Sequence, residues 1–464
     1  MKKLSENQIE QIRQATEEIL DRTGFEVQHP ALLAIAKKAG ARIDEVSGTV
    51  RIPPPLLREL IGRTPSEYTI AGSGGAQWTV GNGEQYSLAI VTDPWIVDYD
   101  SGEPRRPCLT DVRHHTRIAQ RLDHVAAISL MDYPVSDFPG PHSNLRAMEE
   151  YLLNHDKHLN VMAASRESLE RWFRVGRILL RGEELKGSRL MTVGVAVRSP
   201  LTLTGLNAEL LLAACEHDLP VVPTVCPMAG TTAPYSKAGT LLLGNAEIVF
   251  LAALAQMIRP GHPYLYAFGP SRTDMRTGGD MYYTLDKMPW KIAGVQLGQA
   301  YGIPTAAECG GTMSARYDLQ SGAEGMLFML AAHQSGANLL AGIGSCGNAM
   351  AMSGEMMQVQ TDWLEAARFL TAGIDTDAHP AVENIQHVGP GGHYMEDDLT
   401  MELLRSDEFF NSELFDYGDL DEGQPSMIER AHQKAGEMAA GFECPHPGAV
   451  QEELRRFFRD ECGG

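Results

Sequence analysis

Residues 190–225 read LMTVGVAVRSPLTLTGLNAELLLAACEHDLPVVPTV, and this stretch decides the fold class. An apolar run at 190–197 is followed by helical periodicity over 206–217, then by a second apolar run at 220–225. The link His217-Asp218-Leu219-Pro220 stops the helix directly before the second run. Two runs of strand length joined through a helix predict parallel strands and a right-handed crossover.

The same unit recurs on both sides. Apolar runs stand at 125–131 and 159–164 upstream, and at 264–268, 305–307 and 337–343 downstream. Helical stretches at 235–258 and 285–301 fall between them, each closed by a Gly, Pro or Asp signal such as RPGHP, YGIP or QSGAN. Seven such units, with an eighth strand near 88–92 or near 383–388, predict an α/β protein built as a closed (β/α)8 TIM barrel. An open doubly wound sheet is the alternative. No GxGxxG opens a first βα turn, which weighs against its dinucleotide-binding form. Residues 1–105 are expected to form an N-terminal extension: helices at 5–22 and 30–39, a hairpin with its turn at 44–48, a helix started by Pro53-Pro54-Pro55, and short antiparallel strands. The barrel is expected over 106–400. An acidic helical tail, 401–464, is expected on its exterior.

The 464 residues carry 60 acidic against 39 basic side chains, a formal charge of −21. Such a surface repels phosphate backbones and anionic lipid, so neither nucleic acid nor a membrane surface is an expected partner. No uninterrupted apolar run approaches the roughly 18–20 residues of a membrane span. The opening MKKLSENQIEQIRQATEEIL has no apolar stretch behind its lysines and reads as a helix, not a signal peptide; a cytoplasmic location is expected. The seven cysteines are scattered with no CxxC pair, as reduced thiols are.

In a TIM barrel the chemistry sits at the C-terminal strand ends. Here these read Asp132-Tyr133, Ser165-Arg166, Arg198-Ser199-Pro200, Cys226-Pro227-Met228, Phe268-Gly269-Pro270-Ser271, Glu308-Cys309-Gly310-Gly311 and Gly344-Ser345-Cys346-Gly347. Glycines let backbone approach a large ligand closely. No Ser-His-Asp arrangement, strand-end lysine, P-loop or HExxH is present, so a hydrolase or Schiff-base enzyme finds little support. Aromatic residues are the positive signal: Tyr133, Phe268 and Tyr317, with Met313, and Trp95 and Tyr99 on an upstream loop. As a set they suit a quaternary ammonium held by cation–π attraction; singly, each also reads as core or rim packing. Tyr264, Tyr266 and Phe268 alternate and so share one face. Phe268 is the expected cage wall, with Trp95 and Tyr133 as companions. Arg198, Arg272 or Arg316 could clamp a carboxylate or form a surface ion pair. Cys226, Cys309 and Cys346 end three strands and could bind zinc to activate a thiol, or be small apolar fillers.

Several segments read together resemble one family, the trimethylamine methyltransferase superfamily of corrinoid-dependent methyltransferases. They are Met228-Ala229-Gly230-Thr231-Thr232-Ala233-Pro234, Asn245-Ala246-Glu247, Arg259-Pro260-Gly261-His262-Pro263, Asp318-Leu319-Gln320-Ser321-Gly322-Ala323-Glu324 and Val388-Gly389-Pro390-Gly391-Gly392-His393-Tyr394. Their order and spacing resemble that family from about residue 5 to residue 440. The resemblance implies a TIM barrel, a methylated amine as donor, and a cognate corrinoid (cobalamin) protein as methyl acceptor. Trimethylamine methyltransferases proper carry a pyrrolysine, expected near 308–318, and this chain has only standard residues. The resemblance is therefore to the non-pyrrolysine branch, which includes the glycine betaine methyltransferase. Glycine betaine is the first-choice donor, with Arg316 or His393 for its carboxylate and Tyr317 in the substrate set. The corrinoid is expected over Gly310, Gly311, Gly347 and Ser271. No tightly bound metal is expected, and a homo-oligomer is. Two rivals stay open: a zinc-dependent thiol methyltransferase, and a non-catalytic betaine- or corrinoid-binding protein.

Overall fold

The computed structural model describes residues 2–418 and 423–463. Eight parallel strands follow in chain order: β1 (Tyr86–Ile90), β2 (Val125–Leu130), β3 (His158–Val161), β4 (Met191–Ala196), β5 (Val221–Thr224), β6 (Tyr266–Ala267), β7 (Thr305–Glu308) and β8 (Leu339–Ile343). Neighbours in sequence are neighbours in the sheet, and β8 returns to pair with β1. Between β5 and β6 the ring closes through a bridge from Val221 to Tyr264, where Leu265 N donates to Val221 O at 3.0 Å. A helix follows each strand: α1 (Leu109–Arg121), α2 (Ser143–Leu153), α3 (Arg166–Leu179), α4 (Gly205–Glu216), α5 (Lys237–Ile258), α6 (Lys287–Ala300), α7 (Leu319–Ser335) and α8 (Gly354–Ala372). The fold is the TIM barrel. Its eighth strand is the candidate near 88–92, so the barrel sheet begins upstream of residue 106; residues 383–388 lie instead in a short helix, Val382–Val388.

A barrel strand has lumen on one side and helices on the other, so β2, VAAISL, is buried at every position. Among the described residues, helix α5 comes nearest to a membrane span in length and hydropathy, although Asn245, Glu247 and Gln256 interrupt its apolar run. Its 22 residues are long and apolar enough, but 78% of the most apolar window is buried inside the protein. Both of its sides are covered, because the N-terminal helices Glu6–Glu18 and Pro54–Ile61 pack over it from outside. The expected hairpin pairs Arg42–Asp44 with Thr49–Arg51. A second hairpin, Tyr68–Ala71 with Gln77–Val80, packs Tyr68, Ile70 and Val80 against Leu88, Leu265 and Leu339 and closes the lumen from below. Tail helix Met427–Ala439 packs on α8 and α1, and Gly448–Glu461 on α2 and α3.

Candidate functional site

A cavity of about 440 Å³ occupies the lumen toward the C-terminal strand ends. Its lower wall is aliphatic, with Leu88, Ile90, Met131, Met162, Leu265 and Ala267. Exposed Asp280 and Met350 stand at its rim.

The charged part of the site is built at the end of β7. Glu308 is the last residue of that strand. Tyr282 donates its hydroxyl to Glu308 Oε1, Lys291 pairs with Oε2, and Lys287 Nζ lies 3.0 Å from the same oxygen. Lys287 is the first residue of α6 and Lys291 stands one turn on, so both ammonium groups leave the same helix face. Lys291 borders the cavity and also donates to Phe268 O. Lys287 is fully buried behind it, 2.7 Å from the Tyr282 ring centroid. The loop carrying Tyr282 and Tyr283 is pinned by Asn348, which accepts from Tyr282 N at 2.6 Å and donates to Asp280 O at 2.7 Å. Gly269 is required beside this cluster. A Cβ there would lie 2.8 Å from Cys226 Sγ and 2.9 Å from the Tyr282 hydroxyl.

Asp93, just after β1, borders the cavity from another wall. It is 4% exposed, and its Oδ2 has no hydrogen-bond partner. Burial pushes its carboxyl up to about 8. Burial likewise pulls Lys287 down to about 7, against the opposing pull of Glu308. Burial opposes ionisation of Glu308 too, but the two lysines outweigh it and hold that carboxyl at about 2. Cys226 is open to the cavity, but desolvation by the surrounding wall and the nearby Glu308 push its thiol up to about 11, so it is protonated at neutral pH and a poor nucleophile.

The structure separates most of the residues singled out in the sequence. Tyr264, Tyr266 and Phe268 do share a face, but it is the helix-facing one. Tyr264 donates to Ile248 O at 2.9 Å and Tyr266 to Asn245 Oδ1 at 2.8 Å. The Phe268 ring is wedged between Gly244 of α5 and Gly294 of α6, although the residue also borders the cavity. Trp95 carries the Arg106 guanidinium 3.8 Å from its ring centroid. Tyr133 is half-buried, close enough to Asp93 for that charge to help push its hydroxyl up. Tyr317 is tied to Ser353 Oγ at 2.8 Å and Glu355 Oε2 at 3.0 Å, outside the cavity. Arg316 makes an exposed ion pair with Glu103 at 3.0 Å rather than clamping anything. His393 is exposed on the segment after α8.

The glycines expected to receive the corrinoid serve internal contacts. Gly310 is buried against Gln360, which donates to its carbonyl at 2.9 Å, and Gly311 lies against the Tyr283 ring. Gly347 has φ +52° and a Cβ there would meet Ala351; Ser271 is buried. These residues offer no open cradle for a corrinoid ring. The three strand-end cysteines do not converge: Cys309 and Cys346 are buried, and among the described residues no three His, Cys, Asp or Glu side chains gather as a metal site. The sequence motifs are largely scaffold. Glu247 accepts from Ser199 Oγ and Leu201 N at 2.8 and 2.9 Å, and Glu324 accepts from Thr312 Oγ1 and Met313 N, both at 2.8 Å.

The sequence reading passes over Lys287, Lys291, Tyr282, Tyr283 and Asp93, and names Glu308 only as a strand end. No strand end carries a lysine, yet the cavity wall brings a carboxylate and two lysines together. The lysines reach in from a helix, not a strand end. Their signal was two charges four apart in KMPWKIAGVQLGQA, an otherwise mostly apolar helix.

The chain is 26% identical over 451 residues to the glycine betaine methyltransferase of Desulfitobacterium hafniense strain Y51, covering 95% of this chain and 93% of that one. It is 25% identical over 413 residues to the trimethylamine methyltransferase MttB of Methanosarcina barkeri strain Fusaro, covering 86% and 82%. Among solved structures it shares its fold with the Methanosarcina barkeri monomethylamine methyltransferase, at TM-score 0.51 and 14% identity, covering 98% and 87%. Residues 1–462 match the trimethylamine methyltransferase (MTTB) family, and with the barrel, the lumen cavity and a match across nearly the whole chain, the protein belongs to that family.

Proposed function

We propose that this methyltransferase takes a methyl group from a quaternary amine, glycine betaine first, and passes it to the Co(I) corrinoid of a partner protein. The cavity carries the reading: an aliphatic chamber closed below by a hairpin, with buried charged groups at its upper wall. Its volume suits a small ligand, since small-molecule sites run from about 300 to 1,000 Å³. The near full-length similarity to a glycine betaine methyltransferase supports that donor class.

The chemistry is economical for such a donor. A quaternary ammonium leaves as a neutral tertiary amine, so no acid is needed at nitrogen. The acceptor supplies the nucleophile; the cavity's own thiol, Cys226, is held protonated. What this chain supplies is orientation of one methyl toward the opening bordered by Asp280 and Met350, and exclusion of water. The expected glycine cradle is absent, so the docking surface for the partner is not assigned to Gly310, Gly311, Gly347 or Ser271. Incubating the protein with a panel of quaternary amines and Co(I)-cobalamin, while following methylcobalamin optically, tests the reaction. Formation with glycine betaine supports it; no methylcobalamin from any quaternary amine overturns it.

A further inference from the structure

The cavity carries, on different walls, two ionisable groups that lack a matching counter-charge. On the β6–β7 side, the ammonium groups of Lys287 and Lys291 face the single carboxylate of Glu308. Two positive charges against one leave an excess, in a place where burial is nearly complete: Lys287 is 0% and Lys291 4% exposed. Lys287 reaches Glu308 at ion-pair distance but makes no hydrogen bond. On the β1 side, separated round the barrel by β7 and β8, the buried Asp93 Oδ2 has no partner. An uncompensated buried cation and an unpartnered buried carboxyl are both costly, and one ligand with both charges relieves both.

We infer that the cavity is a two-ended receptor for a zwitterion, in which Lys291, backed by Lys287, takes the ligand's carboxylate and Asp93 takes its quaternary ammonium. This rests on the donor class proposed above and assigns its two ends to this chain's residues. Lys287 acts through Lys291 as a positioning residue. The ligand's carboxylate completes a set of two positive and two negative groups. At the other end Asp93 ionises against the ammonium.

Binding is then coupled to protons. The groups facing Lys287 are Glu308 from β7, Lys291 from its own helix, Cys226 after β5, and Tyr282 and Tyr283 from the loop before α6. Those facing Asp93 are Tyr133 after β2, Tyr283, and Cys346 after β8. With Lys287 near about 7 and Asp93 near about 8, both are partly neutral at pH 7.5. An anion raises the affinity of Lys287 for its proton, and a cation lowers that of Asp93.

Calorimetry at pH 7.5 in two buffers of different ionisation enthalpy reads this out, with no corrinoid present. Three ligands serve: glycine betaine, choline, which keeps the ammonium alone, and 3,3-dimethylbutanoate, which keeps the carboxylate alone. Expected are proton uptake with dimethylbutanoate, release with choline, and nearly no net exchange with betaine. Asp93→Asn should abolish the release and weaken choline by about tenfold or more, with dimethylbutanoate little changed. Lys287→Met should do the reverse. Each ligand thus controls for damage to the fold in the other variant. Equal proton exchange for all three ligands, equal losses for both one-charge ligands, or no binding by any of them overturns the inference. The charge pattern without methyl transfer to cobalamin would sink the reaction and leave the receptor standing. Methyl transfer without the charge pattern would do the opposite.

Discussion

The two sides of the sixth strand region are built on opposite terms. Toward the helices stand Tyr264, Tyr266 and Phe268, large rings that fill the space between α5 and α6 and satisfy their hydroxyls on α5. Toward the lumen stand Leu265, Ala267 and Gly269, below a cluster of lysine, glutamate and tyrosine. The bulky side holds the barrel together. The other side leaves room, and it is there that buried charges gather. Aromatic content in this barrel therefore marks packing, and small lumen residues mark the site.

The largest effect that would break this contrast is expected at Glu308. Glu308→Gln leaves two buried ammonium groups facing no carboxylate, and breaking one partner of a buried pair costs roughly 3–5 kcal/mol. Denaturant unfolding should show that loss, and methylcobalamin formation should fail. The pH dependence has a definite sign. A carboxyl held at about 2 in the fold and near about 4.3 when unfolded contributes stability that is complete above that upper value and is lost as pH falls toward the lower. The variant should lack this acid limb.

Phe268→Ala should cost about 3–5 kcal/mol of stability as well, by opening a cavity between α5 and α6. Its effect belongs to the helix side alone. Donor affinity measured calorimetrically at a temperature where the variant is folded should be unchanged; a clear loss would return Phe268 to the binding wall.

Asp93→Asn should act in the opposite sense. A carboxyl raised to about 8 keeps its proton in the fold while the unfolded chain, at about 3.9, has released it. Over that interval the wild type loses stability as pH rises, and asparagine cannot ionise. The variant should therefore melt above the wild type at pH 8, and the gap should close near pH 4. A variant less stable than wild type at pH 8 would mean that Asp93 is paired after all.

How much of this was legible follows from the same contrast. Seven strand–helix units could be read because each apolar run is bounded by a turn signal, as at His217-Asp218-Leu219-Pro220. Alternation correctly put Tyr264, Tyr266 and Phe268 on one face. It could not say which face, because a barrel strand is buried on both sides and a polar–apolar pattern never develops. Lys287 and Lys291 were hidden for a different reason. They reach Glu308 from a helix that begins well after β6, past a loop whose path depends on Asn348, far along the chain. Asp93 gives no local signal at all: its lack of a partner is a property of the packed barrel.

The smallest effect is expected at Arg316, the sequence's first choice for a carboxylate clamp. It pairs with Glu103 on the surface, with the two side chains 66% and 59% exposed. A pair so exposed is screened by water and salt and contributes about 0–1 kcal/mol. Arg316→Ala should thus leave the melting temperature nearly unmoved, and any small shift should shrink further in high salt. The discriminating measurement is substrate charge. A clamp would make the variant lose affinity for betaine while choline binding stayed level, since choline has the same ammonium and no carboxylate. The surface pair requires both to stay at wild-type values, while Lys287→Met, in the lysine cluster behind the cavity wall, changes the ratio between choline and the carboxylate ligand. A betaine-selective loss in Arg316→Ala would mean that the loop carrying it folds over the mouth when the donor binds, and would move the carboxylate end of the site from the lysines to the rim.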